Sequence, residues 1–180
     1  MSALSARASI DTIWSWLRQV PDPEIPVISV VDLGIVRDVR WDGQDADADV
    51  VITVTPTYSG CPATEVIAAS IRDRLAEEGI GHARVETRLS PAWTTDWIGP
   101  EAKEKLRGYG IAPPACAAGE HVIDISRLTR RSAMKPAPLI ACPRCGSTHT
   151  QVLSPFGSTP CKSLHRCHAC HETFDYFKPH

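Results

Sequence analysis

The sequence predicts an α+β fold in two parts, a small α/β domain followed by a C-terminal β module that holds a metal ion. Segments with helical and with strand-like apolar spacing follow one another through residues 1–112. Five of the seven cysteines lie in the last 39 residues, where four of them form two C-x2-C pairs. A chain of 180 residues has room for one ordinary domain and one small module.

The charged side chains divide the chain in the same way. Residues 1–126 carry 11 basic and 19 acidic side chains, whereas residues 127–180 carry 8 basic and 2 acidic ones. Such a split predicts two units with different surfaces, and the basic tail suits nucleic acid, an acidic protein or the chain's own acidic half. No stretch approaches the roughly 18 apolar residues of a membrane-spanning helix. The first ten residues lack the apolar core of a signal peptide, so we expect a cytoplasmic protein.

The first predicted element is a helix over residues 9–20. Its apolar residues recur at helical spacing: Ile10, Ile13, Trp14 and Leu17. Ser9 is placed to cap the start of this helix, and Pro21 ends it. Three prolines within residues 21–26 predict an ordered turn, which contains Asp22 and Glu24.

Two strands follow, over residues 35–41 and 50–55, and we expect them to pair antiparallel. In the first strand, alternation places Ile35 and Val39 on one face and Val36 on the other.

A loop that contains Cys61 leads to a helix over residues 63–78, with Pro62 at its first position. One apolar stripe runs along this helix and consists of Ile67, Ile71 and Leu75. A half-exposed strand over residues 83–89 and a short charged helix over residues 100–107 complete the domain.

Residues 113–138 are predicted to form a linker with one candidate strand at residues 122–125, and the metal-binding module occupies residues 139–180.

The two C-x2-C pairs are Cys142 with Cys145 and Cys167 with Cys170, separated by 21 residues. Two such pairs supply the tetrahedral thiolate set that zinc prefers, and such a closed site favours a zinc ion that only folds the tail. The flanking residues 150–153 and 173–177 fit a ribbon hairpin.

The ligands leave the metal open, because Cys-Pro-x-Cys-Gly also suits a single iron or cluster iron. Four nearby side chains are alternative ligands: Cys161, His165, His168 and His171. For Cys161, a spare thiol or a packing residue is the simpler interpretation.

Cys61 lies just before a predicted helix, where free amides and the helix dipole favour a thiolate. Asp22 and Glu24 occupy the other rigid, proline-bounded loop. If the two loops are neighbours, the three side chains would share a surface suited to iron or a soft metal. An equally good interpretation is that Cys61 is a small buried residue and that Asp22 caps a turn.

The remaining sequence offers few chemical motifs. It has no phosphate-binding loop, no G-x-G-x-x-G, no G-x-S-x-G and no H-E-x-x-H, so we predict no independent catalytic site. Trp93 and Trp97 are either packing residues or a partner-binding face, and Cys116 is an incidental thiol.

Three runs of sequence, residues 22–27, 32–36 and 57–63, resemble the SufT-like domain of iron–sulfur assembly and targeting proteins. The resemblance becomes more specific when three further segments are included: residues 93–98, residues 109–114 and the four-cysteine tail. Together they resemble the PaaD family, small accessory subunits encoded with the phenylacetyl-CoA epoxidase of aerobic phenylacetate degradation.

This resemblance implies a SufT-like α/β domain with a mixed sheet and a zinc-ribbon-like tail. It implies an accessory role beside a di-iron oxygenase and its reductase, in which iron or an iron–sulfur cluster is delivered to a partner. Cys61 would be the transfer ligand, with Asp22 and Glu24 shaping its pocket, and zinc would occupy the tail. Iron–sulfur assembly proteins and a second copy of the chain are further candidate partners.

Two other hypotheses remain open. One is a structural adaptor that holds the oxygenase complex together through the tail and the two tryptophans, Trp93 and Trp97. The other is a nucleic-acid-binding zinc ribbon, for which the tail's charge is modest once four thiolates and zinc are counted.

Overall fold

The computed structural model describes residues 7–43, 48–114 and 139–179. They form two compact units: the first unit ends at Tyr109 and the second unit runs from Gly110 to Pro179. The predicted strand at residues 122–125 and Cys116 lie outside the described residues. Within the part of the chain that the structure describes, no helix has the length and apolar character to cross a membrane.

The first unit combines three helices with a three-stranded mixed sheet, as expected. Its elements are α1 (Ile10–Leu17), β1 (Val36–Asp42), β2 (Asp49–Val54), α2 (Thr64–Glu77), β3 (Ala83–Thr87), a 3-10 turn (Thr95–Trp97) and α3 (Pro100–Tyr109). The sheet order is β1-β2-β3, with β1 antiparallel and β3 parallel to the central β2. Helices α1 and α2 pack against each other, α1 also contacts β1, and α2 contacts β3.

Both long helices begin and bury residues much as their sequences predict. The Ser9 hydroxyl accepts a hydrogen bond from the Thr12 N–H at 3.1 Å, which caps α1. The predicted apolar stripe of α2 is buried throughout its length: Ile67, Ile71 and Leu75. Pro62 is not the first helical residue, because α2 starts at Thr64 after an Ala63 cap.

The predicted alternation along β1 is wrong at its start. Ile35, Val36 and Val39 are all buried, although alternation alone places Val36 on the face opposite Val39. The pairing of β1 with β2 shifts between Val36 and Asp38, where a bulge adds one residue. Because a bulge changes the phase of alternation, it brings Val36 into the core together with Val39.

The loop before β1 is held by the segment that follows β3. The Trp93 indole donates to the Leu33 carbonyl at 2.9 Å, and the Lys105 ammonium lies 2.7 Å from the Asp32 carboxylate. Gly34 has a φ of +67°, and a Cβ on it would lie 2.7 Å from the Trp97 Cβ. Both facts require glycine at this position.

The second unit is a four-stranded sheet of order β4-β7-β6-β5. Its strands are β4 (Ile111–Ala112), β5 (Thr150–Ser154), β6 (Lys162–Cys167) and β7 (Thr173–Phe177). The predicted hairpin flanks correspond to β5 and β7, and β6 lies between them, antiparallel to both. Residues 111–112 pair with β7, so they belong to this unit and not, as the sequence predicts, to the first domain.

Candidate functional site

The four predicted cysteine ligands converge in the second unit. Their sulfur atoms all lie within 4.8 Å of one another: Cys142, Cys145, Cys167 and Cys170. The Cys142–Cys170 and Cys145–Cys167 sulfur atoms are 3.7 Å and 3.6 Å apart. A zinc–sulfur bond of about 2.3 Å places tetrahedral thiolates about 3.8 Å apart. The four sulfurs therefore fit one tetrahedral metal ion.

Two tight turns direct these sulfurs to one point. In the first turn, the Gly146 N–H donates to the Cys142 carbonyl at 2.9 Å, and Gly146 has a φ of +75°. In the second turn, the Cys167 N–H donates to the Glu172 carbonyl at 2.9 Å, and His171 has a φ of +64°. Each C-x2-C pair thus spans a reversal of the chain, which is why this short spacing suits a shared ion.

The thiols need a cation in order to ionise together. Backbone N–H groups of Cys170 and Ala169 act against burial and lower the pKa of the Cys167 thiol to about 6. At Cys170, amide donation from Glu172 is outweighed by burial and by neighbouring sulfurs, which raise the pKa of that thiol to about 12. A divalent ion would supply the positive charge that a complete thiolate set requires.

A small apolar cluster packs against two of the cysteine ligands. Cys142 and Cys167 are buried among three side chains that sequence reasoning did not single out: Ala112, Phe174 and Tyr176. The sequence gives little indication of this cluster, because Ala112 lies at least 30 residues from its other members.

None of the four alternative ligands belongs to the cysteine group, and the side chains of His165 and Cys161 have other contacts. The His165 Nε2 is 2.9 Å from the Ser163 hydroxyl, and its ring packs against Phe174. The buried Cys161 sulfur lies 3.0 Å from the Thr159 hydroxyl. Within residues 7–43, 48–114 and 139–179, the four cysteines are the one cluster of three or more Cys, His, Asp or Glu side chains that could hold a metal.

Cys61 is half-buried at the entrance to α2. Its N–H donates to the Tyr58 carbonyl at 3.2 Å, and its own carbonyl accepts from the Thr64 hydroxyl at 2.9 Å. These bonds fix the backbone of Cys61. No side chain caps α2, so its first amides lack a side-chain acceptor, an arrangement that suits anions.

Asp22 and Glu24 lie together in the turn after α1. Asp22 is only 6% exposed, and its Oδ1 accepts from the Glu24 N–H at 2.9 Å and from the Ile25 N–H at 2.8 Å. The carboxylate therefore shapes this turn, which is the second interpretation that the sequence allowed. Among the described residues, no metal-type cluster joins Asp22 or Glu24 to Cys61.

The two tryptophans are engaged within the first unit. Trp93 is 4% exposed and does not present the open indole that partner binding would use. Trp97 is half-buried beneath the Arg37 guanidinium, whose carbon lies 3.5 Å from the ring centroid. Trp93 also lines a cleft of about 380 Å³ beside the loop that leads to Cys61, with residues 55–59, Leu89 and Ala92. Sequence reasoning missed this cleft because its walls come from two separate segments.

Comparison with known proteins assigns both halves of the chain. Residues 10–87 match the family described as "Iron-sulfur cluster assembly protein", and residues 128–178 match the "PaaD zinc beta ribbon domain". The first match contains Asp22, Glu24 and Cys61, and the second contains all four clustered cysteines.

Two curated relatives are similar to this chain over different lengths. A "Putative 1,2-phenylacetyl-CoA epoxidase" subunit of Escherichia coli (strain K12) is 47% identical over 179 residues, which are 98% of this chain and 96% of the relative. "Fe-S protein maturation auxiliary factor" of Porphyromonas gingivalis is 35% identical over 91 residues, 50% of this chain and 83% of the relative.

A solved structure, the "Domain of Unknown Function DUF59 from Bacillus anthracis", is 28% identical with a TM-score of 0.47 and covers 53% of this chain and 89% of its own. The relative from Escherichia coli spans nearly the whole chain, and both domains match their families in order. The chain therefore belongs to the PaaD family, in which an iron–sulfur assembly domain precedes a four-cysteine zinc ribbon.

Proposed function

We propose that this chain is an accessory maturation subunit of the phenylacetyl-CoA 1,2-epoxidase system in aerobic phenylacetate degradation. In this role it aids delivery of iron or an iron–sulfur cluster to the oxygenase or reductase subunit. The observation that carries the proposal is the near full-length similarity to a relative named as a subunit of this epoxidase, in a chain whose first domain is of the iron–sulfur assembly family.

In this proposal Cys61 is the transfer ligand. It is the only cysteine in residues 1–109, it is half-buried, and no hydrogen bond to its sulfur occurs in the described part of the chain. The uncapped start of α2 next to it favours an anionic group. Asp22 takes a positioning role, because its carboxylate is used to hold the turn that carries Glu24.

The four-cysteine cluster takes a structural role. We propose that it binds one zinc ion, which four thiolates coordinate completely and leave without an open position. The second unit has a small apolar core, so the metal would supply much of its folding free energy.

The test is to produce the epoxidase subunits together with this chain or its Cys61→Ala variant, and to measure iron and acid-labile sulfide in the purified partners. We expect the variant to fold normally and to leave the partners short of metal. Ser59→Ala, an exposed change in the same loop, is the matched control and should leave partner metal unchanged.

Fully metallated partners beside Cys61→Ala would contradict the transfer role. If that variant also remained bound to the oxygenase, the result would instead assign the chain as a structural adaptor.

A further inference from the structure

The outer strand of the second unit presents apolar side chains to solvent. β5 ends the sheet, and no further strand pairs with it among the described residues. Val152 and Leu153 on this strand are 54% and 48% exposed, and Phe156 just after it is 63% exposed. We call these three side chains and the open edge of β5 the β5 edge.

A bulge increases the exposure of this strand. Val152 pairs with His165 and Ser154 pairs with Leu164, so Leu153 is an extra residue with no partner on β6. An extra residue bends its strand locally. Two adjacent apolar side chains, Val152 and Leu153, are therefore both left accessible to solvent.

Charged residues and proline, two of the features that protect an edge strand against pairing, are absent from β5, and its bulge is the protective feature that remains. Exposed edge strands normally carry charged residues or proline, which oppose the addition of a further strand. The residues of β5, Thr-Gln-Val-Leu-Ser, include neither. An exposed, uncharged edge with apolar side chains is the type of surface that extended peptides bind by strand addition.

Two cations lie at opposite ends of this strand. Arg166 on β6 is directly opposite Gln151, and it is exposed with no ion pair in the described part of the chain. At the far end, the Lys178 ammonium donates to the Pro155 carbonyl at 3.3 Å and lies 4.8 Å from the Phe156 ring centroid. Four residues of extended chain separate these ends by about 13 Å.

The carboxylate of Asp175 is already occupied. Asp175 on β7 accepts a hydrogen bond from Ser158 at 2.8 Å and lies 3.5 Å from the buried Lys162 ammonium. The β5 edge therefore combines apolar side chains along the strand with one cation at each end.

We propose that the β5 edge docks an extended, acidic segment of a partner protein, which adds a strand to the sheet. Apolar side chains of the segment would pack on Val152, Leu153 and Phe156. Carboxylates about four residues apart would face Arg166 and Lys178.

A second copy of this chain fits the edge less well. Antiparallel pairing of two β5 strands places the end of one strand against the start of the other. Lys178 of each copy would then approach Arg166 of the other copy, and like charges at such positions destabilise pairing. Charge complementarity therefore favours an acidic partner.

Binding of two short peptides tests this proposal. The zinc-loaded full chain is titrated into fluorescein-labelled Ser-Glu-Val-Thr-Val-Glu-Ser, and anisotropy gives the affinity. The second probe is the same peptide with lysine in place of both glutamates. We expect the acidic peptide to bind at least tenfold more tightly than the lysine peptide, and its affinity to fall as salt is raised.

Charge reversal locates the site. Arg166→Glu should weaken the acidic peptide about tenfold and strengthen the lysine peptide. Arg72→Glu, which reverses an exposed charge on α2, should change neither affinity. Zinc content verifies that the second unit of each variant is folded. If Arg166→Glu loses its metal, Leu153→Asp serves as the second variant and should likewise weaken binding of the acidic peptide.

Three results would overturn the proposal. One is that neither peptide binds, and another is that Arg166→Glu and Leu153→Asp both bind the acidic peptide as the parent does. The third is a different occupant: either a dimer in light scattering that Leu153→Asp converts to monomers, or duplex DNA that displaces the acidic peptide and binds more tightly than it.

Discussion

Replacing Asp22 by alanine removes the acceptor of two backbone hydrogen bonds. The Asp22 Oδ1 lies 2.9 Å from the Glu24 nitrogen and 2.8 Å from the Ile25 nitrogen. Alanine offers no acceptor, so both N–H groups lose this partner in the folded state. Asparagine keeps an oxygen at the same position and loses only the negative charge.

The magnitude follows from the burial of the two N–H groups. The bond to Ile25 is buried, and leaving such a donor unsatisfied costs about 1–3 kcal/mol. The bond to Glu24 is partly buried, so its loss costs about 0.5–1.5 kcal/mol. We therefore expect Asp22→Ala to lower the free energy of unfolding of the first unit by about 2–4 kcal/mol, and Asp22→Asn by about 1 kcal/mol.

Tryptophan fluorescence during urea unfolding measures this effect without interference from the second unit. All five tryptophans precede Gly110: Trp14, Trp16, Trp41, Trp93 and Trp97. The unfolding midpoint and slope of this signal give the free energy of unfolding of the first unit. Metal content, measured separately, should stay at the parent's value.

Two results would refute the reasoning. If Asp22→Ala unfolds within about 0.5 kcal/mol of the parent, the carboxylate does not hold the turn. If Asp22→Asn is as unstable as Asp22→Ala, the charge and not the acceptor position is what matters. A stable Asp22→Asn chain that fails to supply iron to its partner would instead give Asp22 a direct chemical role beside Cys61.

The remaining predictions concern three other positions. Gly34→Ala should lower the free energy of unfolding by about 2–4 kcal/mol, because the position has a positive φ and a Cβ there overlaps Trp97. In the same urea assay, the control Gly99→Ala should lower it by less than about 1 kcal/mol, because a Cβ at Gly99 meets nothing within 4 Å. Cys145→Ser should remove most of the bound zinc, measured with a chelating dye, while the fluorescence-monitored unfolding of the first unit stays unchanged; full zinc content would exclude a four-thiolate site. At Asp32, burial raises the pKa but hydrogen bonds from Lys105 and Ser29 more than compensate, so the folded-state pKa lies below its ordinary value of 3.8. The carboxylate therefore stabilises the fold above that pH and loses this effect as pH falls below it, so the cost of Asp32→Asn, about 1 kcal/mol at pH 7, should shrink toward pH 3. A cost independent of pH would show that the ion pair contributes nothing.

Elements set by local pattern could be predicted from the sequence. Ser9 caps α1 because a hydroxyl three residues before an N–H is a local arrangement. The α2 stripe is buried because residues four apart share a helix face. Within each C-x2-C pair, the two cysteines converge because they need only one turn of the chain, whereas the pairing of β5 with β6 brings the two pairs together.

Features that depend on distant residues could not be predicted in this way. The sequence of β6 is largely polar, yet Lys162, Ser163 and His165 are buried. Their partners on β7, such as Asp175 and Phe174, provide the ion pair and ring contact that permit this burial. Gly34 is required by Trp97, which lies 63 residues further along the chain. The hydropathy pattern alone does not predict such long-range contacts.

The cysteines of the two units differ in the number of ligands that they offer to a metal ion. Four thiolates saturate a tetrahedral ion, so the second unit can retain zinc without help. Cys61 offers a single sulfur atom, and no group of three or more metal-type side chains includes it in the described part of the chain. Iron held in transit at Cys61 would need further ligands from the client, so the isolated chain should keep little iron. The metal content of the partner, and not that of this chain, is therefore the measurement that decides whether Cys61 delivers iron.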